Sequence, residues 1–320
     1  MEKKPILVFD TSISTLNLGD QIIMDSVYKI LFSLFPHRRI INSPTHEVIY
    51  NQAYKLNRIS EFSFIGGSNL LSSDHSFLLK KKYNQWAVNI FDALKINNPI
   101  LLGVGWKNYQ VKPNFLTSFL YRKLLSSKEI HSVRDNYTLQ KLKEVGINNA
   151  INTGCPTMWG LDKAHCDSIP DKKANIVVFT LTDYNRSPEH DKILIEILKR
   201  NYDEIFFWPQ GRRDNEYLHC FNTDGIKIIN PNLSSYDQLL SQDIDFIGTR
   251  LHAGIRAIQK KKRAIILGID NRAEEIRKDT NLFVINRDEV NSLNEIISSR
   301  FKTDILVNFE NICKWKKQFM

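Results

Sequence analysis

Along the chain, short runs of β-branched and aromatic residues alternate with longer stretches whose apolar side chains recur every three to four positions. The first pattern fits a buried strand and the second an amphipathic helix, so the alternation predicts strand–helix repeats around a mostly parallel sheet. In the first half, strands are expected at Ile6 to Asp10, Arg39 to Asn42, Phe62 to Gly66, Ile100 to Gly105, Glu129 to Arg134 and Ala150 to Asn152. Helical spacing covers Ile22 to Phe35, Phe77 to Lys95, Leu116 to Leu125 and Tyr137 to Val145. Residues 161–173 are polar, carry no hydrophobic period and read as a linker. A second set follows, with strands at Asn175 to Thr180, Glu204 to Trp208, Ile226 to Ile229, Asp245 to Gly248, Ala264 to Gly268 and Leu282 to Ile285. Its helices are expected near 189–200, 214–222, 235–242, 253–261 and 288–300.

Two sets suit the length: 320 residues exceed the roughly 250–300 at which one hydrophobic core stops growing. The predicted fold class is α/β, with two doubly wound Rossmann-like domains at residues 1–160 and 174–303 facing a cleft. Residues 304–320 read as a further helix that returns to the first domain. Composition alters little in this picture, since 42% hydrophobic and 25% charged residues are ordinary for a globular chain. The apolar patch after Pro5 ends at Asp10, too soon for a signal peptide, and no window holds the roughly 18 apolar residues of a spanning helix. Cys155, Cys166, Cys220 and Cys313 lack metal-ligand spacing and read as free thiols, and no metal site is expected. The formal charge of +9, with runs at Lys80 to Lys82, Lys260 to Arg263 and Lys314 to Lys317, favours an anionic partner or surface.

Chemistry is sought where predicted strands end. Asn17-Leu18-Gly19-Asp20 opens the first long helix and reads either as an anion-facing loop or as a helix capped by Asp20. Gly66-Gly67-Ser68 and Gly103-Val104-Gly105 follow two other strands and permit close approach of a ligand or of other backbone. Neither carries the full dinucleotide fingerprint, and no Walker loop is present. Ser132-Val133-Arg134-Asp135 puts a guanidinium at a strand end beside a helix-capping aspartate. Trp208-Pro209-Gln210-Gly211 offers an aromatic and an amide that could line a cleft. The most informative stretch is Gly248-Thr249-Arg250-Leu251-His252-Ala253-Gly254, which brings a fixed cation, a titratable imidazole and a helix N-terminus to one place.

Taken in order, Asn17 to Asp20, Gly66 to Ser68, Gly103 to Gly105, Ser132 to Asp135, Thr153-Gly154-Cys155-Pro156-Thr157 and Arg250 to His252, the motifs resemble the polysaccharide pyruvyl transferase family over about residues 10–275. The resemblance implies a B-type glycosyltransferase architecture and transfer of a pyruvyl unit from phosphoenolpyruvate onto two sugar hydroxyls as a cyclic ketal. It implies that Arg134, Arg250 and Leu251 hold the donor, that His252 is the acid–base residue and that Asp20 activates the acceptor. Asn17, Gly19, Gly66, Gly67, Ser68, Trp208 and Gln210 would contact the acceptor or line the cleft. The implied partners are phosphoenolpyruvate as co-substrate and a glycan or lipid-linked oligosaccharide, with no cofactor and no nucleic acid. The implied location is cytoplasmic, with peripheral contact at the inner face of the membrane. Two alternatives stay open: a glycosyltransferase using a nucleotide-sugar, and a non-catalytic polyanion-binding protein.

Overall fold

A computed structural model describes residues 3–74, 85–86, 88–96 and 98–320. By its internal contacts the chain forms two units: residues 1–15, 23–159 and 308–320 make one, and 16–22 with 160–307 make the other. The division falls between residues 159 and 160; residues 308–320 group with the first unit, as the return of the C-terminal helix anticipates, whereas the start of the first long helix groups with the second.

In chain order, the first half contains β1 (Ile6–Asp10), α1 (Leu18–Leu34), β2 (Ile40–Pro44), α2 (Asn51–Ile59), β3 (Phe62–Gly66), α3 (Ile90–Lys95), β4 (Ile100–Leu102), α4 (Phe115–Leu124), β5 (His131–Val133), α5 (Asn136–Val145) and β6 (Ala150–Asn152). Strands β2-β1-β3-β4 are hydrogen-bonded side by side, and every pair is parallel. The separate parallel pair β5-β6 joins them edgewise, through the Gly103 amide donating to Ser132 O at 3.0 Å and a bridge between Val104 and Val133. With β1 innermost in sequence and β3 beside it, the chain reverses direction across the sheet between β1 and β3.

His131 helps to hold that edge. Its Nδ1 accepts from the Leu101 amide at 3.1 Å, and its Nε2 lies 2.8 Å from Ser126 O. Only the neutral ring with the proton on Nε2 satisfies both contacts, and burial lowers its pKa from 6.5 to about 4. The lone helix after the second unit, α13 (Phe309–Lys317), completes the first: fully buried Trp315 packs edge-on against Phe64 and Trp159, at centroid distances of 6.0 and 5.7 Å.

The second unit contains α6 (Lys163–Asp167), β7 (Ile176–Thr180), α7 (Pro188–Asn201), β8 (Glu204–Phe207), α8 (Asp214–Leu218), β9 (Ile226–Ile228), α9 (Leu233–Leu239), β10 (Ile244–Gly248), α10 (Leu251–Gln259), β11 (Ala264–Gly268), α11 (Asn271–Thr280), β12 (Val284–Asn286) and α12 (Leu293–Ser298). One all-parallel sheet runs β12-β11-β10-β7-β8-β9. Read from β9, this is the doubly wound order 3-2-1-4-5-6, whose switch point lies between β7 and β10. A core of Val177, Phe179, Leu198, Phe207, Ile247 and Ile265 covers the sheet.

The expected strands are all present to within a few residues, except that those at Ile100 and Glu129 are shortened to three residues. Three helices depart from expectation. The stretch 161–173 includes α6, capped by Asp162, while α2 and α11 arise from segments with too few apolar residues to announce a helical face. Of the helix expected over Phe77 to Lys95, residues 90–95 are helical, and residues 75–84 with the run Lys80 to Lys82 lie outside the described residues.

His131 makes stability pH-dependent. Above pH 6.5 the ring is neutral in both states, and as pH falls towards 4 the unfolded chain takes up a proton that the folded chain refuses. Stability should therefore fall through that window by roughly 3 kcal/mol. Urea midpoints measured across pH 7 to 4 should show this decline in the wild type and a shallower one in His131→Asn.

Candidate functional site

In the second unit the switch point is built from the ends of β7 and β10. Gly248 lets the two strands close: a Cβ there would lie 2.4 Å from Thr180 Oγ1 and 2.6 Å from Thr180 N. The Thr249 amide donates to Thr180 O at 3.1 Å, the Thr182 and Thr249 hydroxyls meet at 2.8 Å, and the Arg250 amide donates to Thr180 Oγ1 at 3.2 Å. Arg250 thus turns the chain from β10 into α10, with its backbone tied to β7.

The Arg250 side chain is buried and heavily engaged. Its Nε donates to Asp214 Oδ2 at 3.0 Å and Leu181 O at 3.2 Å; its Nη2 donates to Asp183 Oδ1 at 2.9 Å and also to Asp214 Oδ1. The guanidinium lies 5.1 Å from the ring centroid of Tyr184. Asp214, at the start of α8, also accepts from the amides of Gly211 at 2.7 Å, Gln210 at 3.1 Å and Asp183 at 3.1 Å. Burial pushes its carboxyl pKa upward, while the Arg250 guanidinium and the Gly211 amide pull it back. Gly211 is required here, because a Cβ on it would stand 2.0 Å from Arg250 Nη2.

Leu251 and His252 open α10, both buried, and the Ala253 carbonyl accepts from the Tyr236 hydroxyl at 2.9 Å. The Tyr236 ring stacks on Trp208 at 3.9 Å and 2°. Trp208 was expected to line a cleft; it is instead fully buried in the layer beneath α10, with no ring face open to a sugar. Gln210 behaves differently. Its Nε2 donates to Asn17 Oδ1 at 2.9 Å, whereas its buried Oε1 meets no hydrogen-bond partner among the described residues.

Asn17, Gly19 and Asp20 belong to this unit too. The Leu18 amide donates to Gln210 O at 3.0 Å, and Asn17 Oδ1 accepts from the Gly19 amide at 3.2 Å. Asn17 therefore caps α1, and Asp20, expected as one reading of the cap, lies inside its first turn with Oδ2 3.4 Å from Asn17 Nδ2. A Cβ on Gly19 would press on Gln210 Nε2 at 2.9 Å.

The remaining expected residues lie in the first unit. Gly66 and Gly67 end β3, but the close approach they permit is that of α1: a Cβ would meet Met24 Sδ at 2.6 Å or Ile23 Cγ2 at 2.1 Å. Both Gly67 and Ser68 take left-handed backbone, at φ 55° and 60°, and Ser68 Oγ donates to Gln85 Oε1 at 3.2 Å. Arg134 is buried with its guanidinium against the backbone of Gly105 and its Nε donating to Asp135 Oδ2 at 3.1 Å. Asp135 caps α5 through the Thr138 amide at 2.7 Å. Gly103, at φ 66°, backs onto Pro156 of the Thr153-to-Thr157 motif.

Sequence reasoning missed Asp183, Tyr184 and Asp214. The available signal was weak: each follows a strand or opens a helix, and their meeting with Arg250 depends on separations of 67 residues for Asp183 and 36 for Asp214.

The fold class is α/β with parallel, Rossmann-like sheets. A candidate UDP-N-acetylglucosamine 2-epimerase from Listeria monocytogenes is similar at TM-score 0.50 and 11% identity, over 93% of this chain and 88% of that one. S. aureus MnaA with UDP follows at 0.49 and 9%, over 92% and 88% of the two chains, and UDP-GlcNAc 2-epimerase from Neisseria meningitidis at 0.46 and 12%, over 99% and 93%. At such identities the likeness concerns fold alone. A search of curated proteins finds no match. The family model for polysaccharide pyruvyl transferase matches residues 17–271, from the cap of α1 to the start of α11, and the chain belongs to that family.

Gly211→Ala should force the Arg250 guanidinium off its aspartates and destabilise the protein by about 1–3 kcal/mol. Gly160→Ala, where a Cβ meets nothing within 4 Å, should change stability by less than about 0.5 kcal/mol. Denaturant midpoints of the two variants test the difference.

Proposed function

We propose that this pyruvyl transferase takes its pyruvyl unit from phosphoenolpyruvate and closes it as a cyclic ketal on two hydroxyls of a sugar in a surface-polysaccharide precursor. The observation that carries the reading is the second unit's switch point, where the Arg250 guanidinium, shared between Asp183 and Asp214, and the N-terminus of α10 lie next to His252 in the chain, within the stretch that matches the family. A donor bearing both carboxylate and phosphate calls for such charge.

The chemistry follows from the donor. Protonation of the methylene carbon produces a cationic centre at the enol carbon, one sugar hydroxyl adds to it, and phosphate leaves as the second hydroxyl closes the ring. His252 is proposed to give and take these protons, a role open to an imidazole because one ring nitrogen can donate while the other accepts. Arg250 meets the donor's negative charge. Because Asp183 makes one contact with it and remains partly exposed, whereas fully buried Asp214 makes two, the donor would displace Asp183 and leave Asp214 in place.

On the acceptor side, Gln210 Oε1 is a buried acceptor with no partner among the described residues, suited to a sugar hydroxyl, and Asp20 is proposed to activate that hydroxyl. A lipid-linked precursor at the cytoplasmic face of the membrane is the acceptor class proposed. No helix among the described residues is long and apolar enough to cross a membrane, so access to such an acceptor would be peripheral.

Phosphoenolpyruvate should raise the melting temperature of the wild type, whereas a panel of nucleotide-sugars should not, since only a ligand of the folded state shifts it. His252→Ala should keep that shift while losing turnover by about 10²–10⁴-fold. A shift with a nucleotide-sugar alone would make the chain a glycosyl-transferring member of the scaffold and overturn the donor assignment.

A further inference from the structure

Residues 93–128 contain Lys95, Lys107, Lys112, Arg122, Lys123 and Lys128 and no aspartate or glutamate. This stretch therefore supplies six of the chain's nine net positive charges, and it includes the end of α3 and all of α4, two helices that pack on each other. All six cations are exposed or half-exposed.

Apolar side chains are exposed on and beside the same two helices. Phe91 and Leu94 on α3, Val111 before α4, and Phe115, Leu116 and Phe119 on α4 are each 40–84% exposed. Within α4 the division is clean: Thr117, Leu120, Tyr121 and Leu124 face the core, whereas Phe115, Phe119 and Arg122 (i, i+4, i+7) and Leu116 with Lys123 face outward. Phe115 and Phe119 stack at a centroid distance of 6.5 Å, so the outward face presents paired aromatic rings with cations one turn further on. A surface helix normally turns its charges outward and its rings inward; here aromatic and cationic groups share the outer face.

We propose that this α3–α4 face docks on an anionic lipid surface, its aromatic and aliphatic side chains entering the headgroup region and its cations pairing with lipid phosphates. Charge decides among occupants. A second copy of the same face would set lysines against lysines, and interfaces between proteins are depleted in lysine, whereas a membrane with negative headgroups rewards each cation near its surface. The inference stands on surface composition and does not depend on the donor or on His252, so it can fail while the proposed chemistry holds.

The test is co-sedimentation of the full chain with vesicles of phosphatidylglycerol and phosphatidylcholine, compared with phosphatidylcholine alone, at about 0.1 M salt. The wild type should pellet with the anionic vesicles only and be released as salt rises. Phe115→Ser with Phe119→Ser, and separately Lys112→Glu with Lys123→Glu, should each weaken binding at least about tenfold while leaving the melting temperature near that of the wild type. Absence of wild-type binding, or equal pelleting of wild type and folded variants, would overturn the proposal. So would a concentration-dependent dimer in sedimentation velocity that the Phe115/Phe119 variant dissolves, since the face would then join two copies of the chain.

Discussion

Burying the guanidinium of Arg250 imposes the arrangement of the second unit's switch point. A charge removed from water needs opposite charge and full hydrogen bonding around it, and the chain answers with Asp214, Asp183 and the Leu181 carbonyl. Each answer constrains something else. Asp214 must open α8, Gly211 must lack a side chain so that the guanidinium can pass, and the loop after β7 must turn back to deliver Asp183. Since Arg250 also precedes α10 as its cap residue, the position of His252 in the first turn follows from the same cluster.

The two units use one physical device on different strand orders. In each, parallel strands send their loops to one edge, and at the point where the chain reverses across the sheet two of those loops diverge. In the first unit that place is occupied by Asp10 and Thr11 at the end of β1 and by Gly66 to Ser68 at the end of β3. Asp10 is fixed there by the Ser12 amide and hydroxyl, each at 2.6 Å, and by the Tyr28 hydroxyl. Burial and the neighbouring Asp10 charge push the Tyr28 phenol well above its ordinary range, so it remains a donor to that carboxylate.

Much of the fold was legible because buried parallel strands must be continuous apolar runs; Ile6 to Asp10, Phe62 to Gly66 and Ala264 to Gly268 stand out for that reason alone. Helices α2 and α11 were not, since α2 buries only Ala53 and Asn57 and α11 only Ala273, Ile276 and Thr280, too little for a periodic signal. Within the candidate site, Arg250 and His252 draw attention by their place between a strand-ending glycine and a helix. What surrounds them was not: Trp208 is drawn into the core by Tyr236, a partner 28 positions later in the sequence, and no local rule announces Asp183 or Asp214. The pairing of Asn17 with Gln210 spans 193 positions, which only the assembled chain can bring together.

Trp315 has one more consequence, which concerns synthesis. The first unit is finished by residues 308–320, whereas its last strand ends at Asn152, and the second unit borrows residues 16–22 from near the start. Neither unit is a continuous piece of sequence. At the roughly 5–20 residues per second of translation, Phe64 and Trp159 wait on the order of ten seconds or more for the indole that covers them, while the whole second unit emerges from the ribosome. A chain cut at residue 160 would keep that apolar surface permanently open, so the two halves are separable on paper and interdependent in the cell.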